Sequence, residues 1–446
     1  MPDAIVRGGT VVRPEGRARA DIRIEAGRIT EIAPELPGGG EEVDARGLHV
    51  FPGLVDVHLH FNEPGRTEWE GAETGSHALA AGGGTMFFDM PLNSTPCTVT
   101  AREVARKRAA LEAAAITDFA LWGGLVPGSI GDMADMAASG VVGFKAFMCN
   151  SGLPEFPEVD DTTLSDGMAE AARLQLPVAV HAEDEAMTRW LPAEMSASSA
   201  RDFLASRPVA AEVLAIERAI EIAGKTGAKL HLVHVSSGSG VAKAVEAKAR
   251  GVDVSVETCP HYLFFTMEDL ERLGVVAKCA PPLRDVDEQD GLWCALLDDR
   301  IDIIASDHSP SDPALKKAGD FRASWGGIAG VQSTLAVLLE RGFDGRRLRL
   351  ERIASLIAAA PAARFNIASK GGLSVGKDAD LMLLDPSRSY TLDPERLLQR
   401  HKTSPYTGSS FTGVVVRTIR RGETIFCEGE IVAKSRGRFV RPQGDW

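Results

Sequence analysis

Eight short apolar runs punctuate the middle of the chain: Leu54 to His58, Thr85 to Met90, Phe119 to Trp122, Val141 to Phe147, Pro177 to His181, Leu230 to Val235, Asp253 to Thr258 and Ile301 to Ser306. Helix-patterned stretches separate most of them, among them Val99 to Ala115, Val209 to Ala223 and Gly240 to Ala249. Runs that are apolar on both faces read as strands of a parallel sheet covered by helices, and each parallel return needs a long crossover. Eight such units in this stretch predict a closed (β/α)₈ barrel of the TIM type. A doubly wound open sheet is the alternative. The lack of a glycine-rich phosphate-binding turn after the first run weighs against it.

The two ends of the chain have a different texture. Ala4-Ile5-Val6, Thr10-Val11-Val12 and Asp21 to Glu25 are strand-like, with turn signals at Ala26-Gly27 and Pro37 to Gly40. Asp380 to Leu384, Val414 to Val416 and Thr424 to Phe426 repeat the pattern near the other end. Neither end has enough apolar surface for a core of its own. We therefore expect one small β-sandwich built jointly by residues 1–50 and 373–446, attached to a barrel over 51–372.

Composition excludes several classes of function. With 44% hydrophobic and 25% charged residues, the chain is an ordinary globular one rather than a disordered one. A net charge of −13 argues against nucleic acid or an anionic membrane as partner. No apolar run reaches the roughly 18 residues of a membrane span, and Met1 to Thr10 lacks the apolar stretch of a signal peptide. The six cysteines, Cys97, Cys149, Cys259, Cys279, Cys294 and Cys427, are too scattered for a thiolate zinc module. They read as reduced thiols, which suits a cytoplasmic location.

Polar residues at the ends of the apolar runs carry the chemistry. In Leu54-Val55-Asp56-Val57-His58-Leu59-His60, alternation puts Val55, Val57 and Leu59 on one face, and Asp56, His58 and His60 on the other. Two imidazoles at i and i+2 on one strand can share a metal ion. His181, His234 and Asp307 each follow directly on an apolar run, where barrel active sites lie. Lys145 sits inside the fourth run. It is either a snorkelling or ion-paired lysine, or a neutral amine whose pKa burial has lowered. Taken singly, each histidine is more simply structural; taken as a set, these residues point to metal. No serine or cysteine is flanked by a base, and a nucleophile enzyme would leave the metal set unexplained.

These residues resemble those of the amidohydrolase superfamily, in its cyclic-amidase branch, over nearly the whole chain. The match opens with Phe51 to His60 and closes with Gly371 to Leu384. The resemblance implies a binuclear centre. His58, His60 and Asp307 would hold the more buried ion, and His181 and His234 the more exposed one. Lys145, carboxylated by carbon dioxide, would bridge the two. Nitrogen and oxygen donors without thiolate suit zinc, cobalt, manganese or iron, zinc being expected first.

Within the branch, several stretches are most similar to allantoinases: Glu63-Pro64-Gly65-Arg66, Trp69-Glu70-Gly71, Met90 to Asn93, Cys259 to Tyr262, Lys278 to Arg284, Ser306 to Pro310, Trp325 to Gly330 and His401 to Tyr406. That implies hydrolysis of the hydantoin ring of allantoin to allantoate, in purine catabolism. Water acidified between the ions would attack, and Asp307 would shuttle its proton to the leaving nitrogen.

Asn93, Cys279 and Gly327 resemble segments that hold the ring. Asn62 stands where dihydroorotases carry an arginine for the substrate carboxylate. Hydantoinases and dihydropyrimidinases carry an oxyanion tyrosine just after the bridging lysine, and Phe147-Met148-Cys149-Asn150 has none. Those two activities are the alternatives, with a metal-free scaffold a distant third. A homo-oligomer, a tetramer by analogy with the branch, is expected. His49, His77 and His231 read as structural or solvated, with His231 on the opposite face of its strand from His234. His261 and His308 are open between substrate contact and support, and His401 has no derivable role.

Overall fold

The computed structural model describes residues 3–194, 198–317 and 319–443. All eight barrel strands form: Leu54–Leu59, Gly84–Asp89, Asp118–Leu121, Phe144–Phe147, Val178–His181, Leu230–Leu232, Val254–Thr258 and Ile303–Ile304. Neighbours pair in parallel around the ring. The third strand is split at Trp122. Asp118–Leu121 pairs with the second strand, and Gly123–Gly124 continues it against the fourth. A parallel bridge between Leu59 and His308, with the His60 N–H donating to His308 O at 2.8 Å, closes the eighth strand onto the first. The expected helices form, two of them with side-chain caps: Thr100 accepts from Glu103 N ahead of Ala101–Ala114, and Ser237 accepts from Gly240 N ahead of Gly238–Ala249, while Val209–Thr226 follows Pro208 without one.

Two apolar shells surround the strands. Val55, Val57, Met86, Phe88, Ala120, Trp122, Ala179, Val233, Ile303 and Ala305, drawn from most of the ring, pack together in the barrel interior. Phe87, Phe119, Phe144, Val180, Leu232 and Val256 pack outward against helix residues such as Leu79, Leu111, Met168 and Ile216. The expected alternation of the first strand therefore fails. Its register advances from Asp56 to Leu59 while the second strand advances only from Phe87 to Asp89. The extra residue is a bulge, which turns two consecutive side chains to the same side. Val55 and Val57 lie inside, Leu59 lies outside with Phe61 and Phe87, and His58 still reaches the interior. Asp56 turns to the eighth strand, where it accepts from Ser306 N at 3.1 Å and His58 N at 3.2 Å.

The chain's two ends make one nine-stranded sheet with its own apolar core, including Val6, Ile22, Ile24, Val50, Leu381, Leu383 and Ile419. His49–Pro52 is the seam. It pairs with Ala4–Arg13 on one side and with Leu381–Thr391 on the other. The two strand-like pieces expected before residue 13 are one strand, with its irregularity between Val6 and Gly9. A buried charge cluster ties this sheet to the barrel: Lys370 Nζ lies 2.6 Å from both Asp118 and Asp380, and Arg421 pairs with Asp118. No helix among the described residues is long and apolar enough to cross a membrane.

Candidate metal centre

The barrel's strand ends bring five of the six expected ligands into one cavity of about 270 Å³: His58, His60, His181, His234 and Asp307 line it. Lys145, on the strand beside His181, lies beneath and is fully buried. His58 Nε2 and His60 Nε2 stand 3.3 and 3.5 Å from one Asp307 oxygen. His181 Nδ1 faces His234 Nε2 at 3.0 Å. His234 and Asp307 both have positive φ, 40° and 42°. These uncommon conformations let residues at strand ends leave the alternation and turn toward the centre.

The residues behind the ligands fix which ring nitrogen is free. His58 Nδ1 is held by Glu257 at 2.7 Å, His60 Nδ1 by Leu92 O at 3.0 Å, and His181 Nε2 by Glu183 at 2.8 Å. Each of those outer nitrogens donates to its acceptor, so the inner nitrogen carries a lone pair aimed at the centre. Burial lowers His181, and with Lys145 and His181 it drives His234 well below the usual imidazole range. Burial also raises Asp307, but His58 and His60 outweigh it and bring the carboxyl to about 2. Burial brings the Lys145 amine down to about 7, against the pull of Glu257 and Asp307. Its Nζ has no hydrogen-bond partner among the described residues. Converging lone pairs, an ionised carboxylate and an orphaned buried amine fit a pair of divalent cations, since metals take neutral imidazole and carboxylate.

The weaker assignments divide. Asn93, Cys279 and Gly327 line the cavity. Burial pushes the Cys279 thiol up to about 12, so it is a neutral wall. The N–H of Gly327 is already spent on Lys278 O at 2.7 Å. A Cβ there would stand 2.1 Å from Ser309 O at a φ of +133°, which accounts for the glycine. Asn62 is not in the cavity. It is fully buried, and its amide donates to Pro310 O at 3.1 Å, beside the loop that carries Asp307.

His231 corrects another expectation. It alternates inward between Leu230 and Leu232, the turn at His234 brings the second ring inward as well, and it shares Glu257 with His58: its Nε2 lies 3.1 Å from the second carboxylate oxygen. His308 is buried and accepts from Gly330 N and Val331 N, which makes it a loop support. His261 is buried beside Asp307, and burial lowers it to about 4. His401 is outside the cavity, against Glu68 O.

Glu257, Glu183 and Arg207 were missed from sequence. Glu257 had a legible signal, since Ser255 and Glu257 alternate with Val254 and Val256 on a buried strand. Arg207 lines the cavity and pairs with Glu183. Nothing in the sequence around it marks that role.

The amidohydrolase family model matches residues 49–425. A protein of Solibacter usitatus named allantoinase is 60% identical, covering 100% of this chain and 98% of its own. An allantoinase of Rubrobacter xylanophilus is 53% identical, over 99% of this chain and 98% of its own. The solved L-hydantoinase (dihydropyrimidinase) of Arthrobacter aurescens superposes with a TM-score of 0.96 at 33% identity, covering 99% of this chain and 100% of that one. The chain belongs to the amidohydrolase family.

Proposed function

We propose that the protein is an allantoinase, which opens the hydantoin ring of allantoin to allantoate at a centre of two divalent ions. The observation that carries this is the convergence of His58, His60, His181, His234 and Asp307 on one cavity, with three of the rings held from behind by Glu257, Leu92 O and Glu183. The two relatives named allantoinase, matched end to end, give the substrate. Lys145 in this reading is carboxylated by carbon dioxide. Carboxylation would turn the orphaned amine into an anion able to hold both ions, and an amine near 7 offers the neutral form that carbon dioxide needs. Zinc is the proposed ion, and cobalt, manganese or iron would accept the same donors. Residues 51–372 are the catalytic unit, 1–50 and 373–446 the accessory sheet, and a cytoplasmic homotetramer the expected setting.

Bound, the ions supply an acidified water and a Lewis acid for the ring carbonyl. The chain supplies the rest. Asp307, ionised through the neutral range, takes a proton from the water that adds to the carbonyl carbon. It returns that proton to the ring nitrogen as the C–N bond breaks, leaving a carboxylate and a ureido group. Glu257 and Leu92 O keep His58 and His60 oriented throughout. Phe147, which stands near the place of a hydantoinase tyrosine, stacks on His181 with ring centroids 4.5 Å apart, so no phenol is offered to the oxyanion there.

The cavity also disfavours a carboxylate substrate. Arg207 is neutralised by Glu183, and the Lys278 ammonium is held by Phe321 O and Ser324 O at 2.5 and 2.6 Å. A substrate carboxylate would meet a guanidinium already paired with a carboxylate and an ammonium already held by two carbonyls, so its desolvation would be poorly offset. On metal-loaded protein, allantoin should therefore give a higher kcat/KM than hydantoin, and dihydroorotate one at least ~10²-fold below allantoin. A panel that ranks dihydroorotate or dihydrouracil first would overturn the substrate assignment.

A further inference from the structure

The geometry points to Arg207 as the residue that recognises the ureido substituent of the substrate, by donating from its guanidinium to the ureido carbonyl oxygen. This rests on the allantoinase reading and deepens it. Three observations lead there. Arg207 lines the cavity together with His181, Asn150, Phe203 and Lys278. Its Nη1 is bound to Glu183, whose other partner is His181, so the guanidinium is anchored on the wall beside the ligands. Beyond Glu183 its one further side-chain partner among the described residues is the Cys149 thiol, a weak acceptor that leaves guanidinium N–H donors for a ligand.

A guanidinium is a rigid planar fork, and fixing one nitrogen fixes where the others point. Here one arm is fixed by a fully buried carboxylate, and the side chain keeps 19% of its exposure. The charge is cancelled by Glu183 while donors remain. That combination suits a neutral carbonyl acceptor and not a carboxylate. Lys278, the other cation on this wall, has its ammonium taken by two backbone carbonyls, so Arg207 is the better placed to read an extra carbonyl. Hydantoin has the ring but no ureido arm. Loss of Arg207 should thus separate the two ligands, which a purely supporting role through Glu183 and His181 would not do.

The test uses Arg207→Lys, which keeps a cation beside Glu183, and Arg207→Gln, which keeps a donor without charge. Both are compared with wild type for kcat and KM on allantoin, turnover of hydantoin, the inhibition constant of hydantoin against allantoin, and bound metal per chain. A hydrogen bond from a charged donor corresponds to a ~10- to 100-fold effect. The expected result is a loss of that size in kcat/KM for allantoin, mostly in KM, in both variants. In Arg207→Lys, which keeps a cation beside Glu183, the loss for allantoin should exceed that for hydantoin by about tenfold with bound metal retained. Equal losses for allantoin and hydantoin, or loss of metal, would overturn the proposal and make Arg207 a support for Glu183 and His181. Unchanged allantoin kinetics would overturn it as well. Wild-type protein that does not open allantoin fails the substrate reading itself, and this appears in the wild-type measurements before any variant is scored.

Discussion

Asp307→Asn is expected to lower kcat by at least ~10²–10⁴-fold, the range for a positioned general acid–base group. The carboxylate lies within 3.5 Å of both His58 and His60 and is held ionised by them. An amide of the same shape cannot take a proton, and it weakens one ion's ligand set. The fold should persist, because Asp307 follows the last barrel strand and the Asn62–Pro310 and His308–Gly330 bonds that hold its loop do not involve its side chain. Steady-state kinetics with metal content measured alongside checks this. Near-native turnover by a metal-loaded variant would remove Asp307 from the proton path.

Lys145→Ala should be nearly as severe. Loss of a residue that merely orients a ligand costs about 10–100-fold in affinity or activity, so loss of the bridging ligand should cost at least ~10²-fold. The variant should also hold less metal. The wild-type amine is buried without a partner, and removing it from an enzyme in which it did nothing would cost little or even stabilise the core. The two accounts thus predict opposite outcomes. Partial recovery in acetate or propionate, which can place a carboxylate in the space left by the side chain, would identify the missing group. Full activity without any additive would end the bridging assignment.

The barrel was legible because its strands are apolar on both faces and therefore stand out from the helices between them. Residue pairs close in sequence were legible too: His58 with His60, and the ligands that directly follow an apolar run. What escaped were features set by pairing between strands. The bulge near Val57 and His58 exists only in the register against the second strand, so strict alternation misplaced Val55, Val57 and Asp56. The turn at His234 hid the inward face of His231 for the same reason. Glu257 stands 199 residues from His58, and no local pattern announces that contact. Asn62, which stands where dihydroorotases carry an arginine, has a φ of 63° and gives its amide to Pro310 O, a conformation that no local pattern announces.

The central claim is that catalysis needs metal held by His58, His60, Lys145, His181, His234 and Asp307. Elemental analysis of purified active enzyme, before and after chelation and again after metal is restored, tests it directly. Active protein should hold about two divalent ions per chain, lose its activity with them and regain it on their return. Full activity in protein with no stoichiometric metal would contradict it.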